Sequence, residues 1–157
     1  MAITNQGLEG FRDRLVRAFP PRPFDGVVSR HKECDEGIDL LRELPGKRWD
    51  EVPASFIDFN SGSLPLLEPA ALQAFLPAWL LRSMETLADE SVLAEFTLYF
   101  LCPGDEEEGW DVKRIEGRVA LFDAAQRTVV REFLEAFLNP GDPDGWHSWA
   151  THGLEWW

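Results

Sequence analysis

The stretch from residue 69 to 87 limits this chain more than any other. Leu72, Phe75, Leu76, Trp79, Leu80, Met84 and Leu87 recur at three- and four-residue intervals, the spacing that stacks side chains on one face of an α-helix. Pro69 suits the first turn of such a helix. Pro77 lies inside it and has no N–H for the Gln73 carbonyl, so a kink or restart is expected there. A long apolar helix of this kind must be buried by neighbours, and the flanking sequence supplies them.

Leu8, Phe11, Leu15 and Phe19 predict a helix from about residue 6 to 19, capped by Thr4 or Asn5 and stopped by Pro20, Pro21 and Pro23. A short helix is expected near Asp35, with Asp35 capping it and Ile38, Leu41 and Leu44 inward, ended by Pro45-Gly46. Residues 46–68 read as irregular, anchored by Trp49, Phe56, Ile57 and Phe59. Asp123 and Gln126 have capping-box spacing before a helix whose apolar face is Val130, Phe133, Leu134, Phe137 and Leu138. In the Trp-rich C-terminal segment 140–157, Trp146, Trp149, Trp156 and Trp157 suit a short helix laying indoles on the body. Residues 91–102 fit two patterns. A helix, the favoured reading, would turn Val92, Leu93, Phe96 and Phe100 inward; a strand would alternate through Phe96, Leu98, Phe100 and Cys102. The expected fold is all-α, one domain over 1–157 of about five or six helices around a Pro-kinked central one. The alternative is α+β with one hairpin at 96–102/115–121.

The length, 157 residues, suits one domain and a substantial core. The net charge is −13, from 28 acids and 15 bases. It is uneven. Residues 1–50 balance, residues 51–112 carry −11 with Arg82 as their single base, and residues 113–157 carry −2. Such a balance opposes nucleic-acid binding, which needs a basic footprint, and opposes an anionic membrane surface. No apolar run approaches the roughly 20 residues of a membrane span. Two cysteines do not make a disulfide framework, no signal-peptide pattern is read at the start, and a cytoplasmic location is expected.

Several short pieces together resemble an uncharacterised bacterial family of small, acidic, mostly helical proteins classed as a domain of unknown function. They are His31-Lys32-Glu33-Cys34-Asp35, Phe75-Leu76-Pro77-Ala78-Trp79-Leu80-Leu81, the run from Arg118 to Arg127, Phe133-Leu134-Glu135 and the Trp-containing C-terminal helix. The resemblance spans roughly residues 8–157. It implies a helical fold and assigns no activity, cofactor or catalytic residue. The longer acidic loop and the additional tail tryptophans depart from that family.

Chemistry-bearing patterns are sparse. His31 and Cys34, followed by Asp35 and Glu36, form one potential ligand pair, whereas zinc sites are usually announced by two. His31 with Cys34 also meets the first need of thiol catalysis, a base near a thiol, but no Gly-rich oxyanion loop accompanies it. The carboxylate run of the acidic loop 103–111 lacks both the apolar pocket of a general acid and the ligand order of an EF-hand. Phosphate-loop, nucleophile-elbow and dinucleotide patterns do not occur. No enzymatic activity and no cofactor are expected. The expected function is a protein-binding module, of the immunity or inhibitor kind, that neutralises a basic toxin or enzyme through an acidic surface. Its candidate contacts are Glu106, Glu107, Glu108, Trp110 and Asp111, with Glu90 and Glu95 as rim charges. Acidic fields raise the association rate with basic partners, and Trp is enriched among interface anchors. Two alternatives stand beside it: acidity that serves solubility alone, and a metal-dependent protein using His31 and Cys34. The oligomeric state is not read from the sequence.

Overall fold

The computed structural model describes residues 4–89, 91–102, 112–139, 141 and 145–157. Eight α-helices run among them: α1 Asn5–Ala18, α2 Asp35–Glu43, α3 Ala54–Phe59, α4 Pro69–Glu85, α5 Val92–Leu101, α6 Val112–Ala120, α7 Ala124–Glu135 and α8 Trp146–Leu154. The fold is all-α. Among the described residues no named strand occurs, and an isolated antiparallel bridge joins Ser29 to Leu67. The hairpin alternative is therefore not what forms: its first half lies in α5 and its second largely in α6.

The centre is α4. Phe75, Leu76, Trp79 and Leu80 are completely buried, and α1, α3, α5 and α7 all pack on it. Burial on nearly every side accounts for a helix that continues through Pro77 without restarting. One missing hydrogen bond is set against the apolar area of some ten buried side chains, each worth about 1.5–3 kcal/mol. Trp49 sends its indole N–H to the Phe19 carbonyl (2.8 Å), tying the turn Trp49–Glu51 to the end of α1. On the opposite side a buried hydroxyl pair, Ser83 to Thr97 at 3.0 Å, links α4 to α5.

The remaining elements follow local signals with several corrections. Thr4 caps α1 through the Gly7 N–H, and the Asp123–Gln126 capping box opens α7. The segment 46–68 is more ordered than its Pro and Gly content suggests, since it holds α3 and two 3-10 turns. Phe59 does not anchor this segment; it is 82% exposed at the end of α3, while Ile57 is buried. In α2 the inward set is Gly37, Leu40 and Leu44 rather than Ile38. The chain entering α2 lies against Gly37, and Leu41 is partly buried against the core. The helices beyond the expected five or six are α3, six residues inside the segment read as irregular, and α6, nine residues where the hairpin alternative places its second half.

The tail packs inward. Trp157 is buried and donates its indole N–H to the Leu101 carbonyl (2.7 Å). Trp146 stands edge-on to Phe137, and Trp149 edge-on to Tyr99, with ring centroids 5.5 and 5.1 Å apart. Arg131 donates to the carbonyls of Leu154 and Trp157, fastening the end of α8 to α7.

Candidate functional site

Helix α5 begins where the Ser91 side chain accepts the Leu93 N–H. At 100° per residue, Leu93, Ala94, Thr97, Leu98, Phe100 and Leu101 share one broad face, and all are buried. The opposite face is also apolar. Val92, Phe96 and Tyr99 are 58%, 47% and 48% exposed. They fall within about 60° of arc and span about 10 Å of the helix axis. The expectation that Val92 and Phe96 point inward is thus corrected. A helix this apolar on both faces has only Glu95 as a charged side chain to turn toward water, and contact with α4 and α8 orients it instead.

This outward strip has defined borders. Trp149 of α8 stands against Tyr99 at one end. The turn after α3 borders the middle, where a Cβ placed on Gly62 would lie 3.8 Å from the Phe96 ring. At the other end Val92, Ser61, Asp58 and Asp89 line one shallow hollow together with Arg82, whose guanidinium is held by Asp58. Glu95 is exposed on the flank of the same helix.

The acidic block becomes uneven once folded. Asp58 and Glu85 both hold Arg82, at 2.7 and 3.4 Å, and these carboxylates raise the pKa of its guanidinium. Glu68 pairs with Arg30 and Glu51 with Arg48, bases drawn from the balanced first third. Among the described acids of residues 51–112, Asp89 and Glu95 stand outside these pairs, and both border the α5 strip. Glu90, Glu106, Glu107, Glu108, Trp110 and Asp111 lie outside the described residues.

His31 and Cys34 form the entry to α2. Cys34, not Asp35, is the N-cap, and its Sγ accepts the Gly37 N–H at 3.4 Å. Asp35 and Glu36 follow in the first turn, where negative charge complements the helix dipole. The His31 side chain is exposed, while its backbone passes so close to Gly37 that a Cβ there would overlap its carbonyl oxygen. Among the described residues no three His, Cys, Asp or Glu side chains gather as a metal site would require. Cys102 lies far along the chain in the core, with its thiol pushed up to about 12 by burial, partly offset by the Gly153 N–H. Arg118 stacks on the Phe100 ring at 3.9 Å and donates to the Phe100 carbonyl at 2.6 Å. Its pKa is lowered to about 10 by burial and by the neighbouring Arg114 charge.

No helix among the described residues is long and apolar enough to cross a membrane. The chain matches no protein-family model, no curated protein and no solved structure.

Proposed function

We propose that this chain is a non-enzymatic protein-binding module, of the inhibitor or immunity kind, whose partner is a basic protein. The observation that supports it most is the pairing of an exposed apolar strip on α5 with Asp89 and Glu95, acids that no base neutralises among the described residues. A contiguous exposed apolar patch rimmed by polar residues marks an interaction surface, and an acidic rim favours a basic partner. The remaining charge, with Glu106, Glu107, Glu108 and Asp111 in the same stretch of sequence, steers a basic partner by long-range attraction. Trp110 is its proposed anchor, and the cytoplasm its proposed compartment. The test is stopped-flow association with a partner captured on the tagged chain. Replacing Glu106, Glu107 and Glu108 by Gln should slow association and flatten its dependence on salt. An unchanged rate with an unchanged salt slope would refute the electrostatic reading.

A further inference from the structure

We infer that the outward strip of α5, formed by Val92, Phe96 and Tyr99 and extended by Trp149, is the seat of an amphipathic helix with Lys or Arg on its flanks. This rests on the protein-binding reading above and names the part of the partner that the site takes. Three apolar side chains at i, i+4 and i+7 make a single ridge about 10 Å long. A ridge of that spacing packs into the groove between side-chain rows of a second helix. Phe96 stands at its middle, half exposed, with one ring edge against the turn at Gly62. A buried aromatic at the centre of a contact is the usual energetic anchor.

Charge selects the occupant. Glu95 lies along one flank of the ridge, and Asp89 shares the hollow at the Val92 end with Arg82, a cation already paired with Asp58 and Glu85. Cationic side chains bordering an apolar helix face would meet both carboxylates as the ridge is covered. A second copy of this chain fits poorly. Two-fold packing about Phe96 would bring Glu95 against its own mate, and each copy carries −13.

The test uses the full chain and labelled peptides of about 18 residues, long enough to form a helix. One peptide carries Leu and Lys in an amphipathic helical pattern. A second replaces Lys by Glu, and a third replaces Leu by Ser. Fluorescence anisotropy should show the Leu/Lys peptide bound, and Phe96→Lys should weaken it at least about tenfold. Val16→Lys, the same change at an exposed apolar position on α1, should leave it unaltered. Val92→Lys serves as the second variant if Phe96→Lys alters the thermal melt. Leu/Lys binding that is indifferent to both α5 variants overturns the assignment of the site. Equal binding of the Ser/Lys peptide overturns the apolar contact, and equal binding of the Leu/Glu peptide overturns the charge selection. A dimer in sedimentation velocity that Phe96→Lys splits replaces the proposed occupant by a second copy. If neither Lys peptide binds at low salt, the acidic-surface reading itself fails along with this one.

Discussion

Gly37→Ala puts the reading of the His31–Cys34 segment at risk most directly. In an open helix this change stabilises by about 1 kcal/mol, because alanine loses less backbone entropy than glycine. At position 37 the new Cβ would overlap the His31 carbonyl oxygen and lie 2.8 Å from the His31 Cβ. Backbone cannot rotate aside as a flexible side-chain tip can. Overpacking of this kind costs about 1–3 kcal/mol. Moving His31 also pulls on its N–H bond to the Ser29 hydroxyl (3.1 Å), which in turn donates to the Leu66 carbonyl (2.7 Å). Losing one such bond costs about 1 kcal/mol. The net is a destabilisation of about 2 kcal/mol, seen as a fall in Tm of about 4–8 °C. Gly117→Ala in α6 is the matched control, since nothing lies within 4 Å of its added Cβ; it should stabilise by about 0.5–1 kcal/mol. Circular dichroism melts of the two variants therefore move in opposite directions. If Gly37→Ala melts at or above the native protein, the close backbone approach is wrong, and with it the account of Cys34 as a helix-entry cap.

Three further outcomes are expected. In the native protein a thiol reagent should label half-buried Cys34 first and reach Cys102 only on unfolding; simultaneous labelling would contradict the packing at Gly153. Because the Cys102 thiol is raised to about 12 when folded, its contribution to stability is intact below the ordinary thiol range. That contribution is lost as pH rises from there toward 12, by up to about 1.4 kcal/mol per pH unit, and urea titrations of Cys102→Ala should show a flatter alkaline slope. Ser83→Ala strands the buried Thr97 hydroxyl and should cost about 1–3 kcal/mol, most of it regained in the Ser83→Ala/Thr97→Val double variant; a double-mutant cycle without coupling would remove this link between α4 and α5.

The sequence by itself determined the fold class, the central place of α4, the ends of α1 and the start of α7; the helix expected to run on to Asn139-Pro140-Gly141 stops at Glu135. Those features rest on periodicity and on cap residues such as Thr4 and Asp123, which act within a few positions of the chain. It also located the charge in residues 51–112. Tertiary structure decided which of that charge stays uncompensated, because Arg30 and Arg48 reach into the block from the first fifty residues. It decided the role of His31 and Cys34, since the approach of His31 to Gly37 depends on the path of the incoming chain. It decided the orientation of α5 as well. Val92 and Phe96 are as apolar as Leu93, Leu98 and Leu101, and Tyr99 differs by one hydroxyl, so composition chooses weakly between the two faces. Contact with α4 and α8 makes the choice, and the face left over is the one on which the proposed function depends.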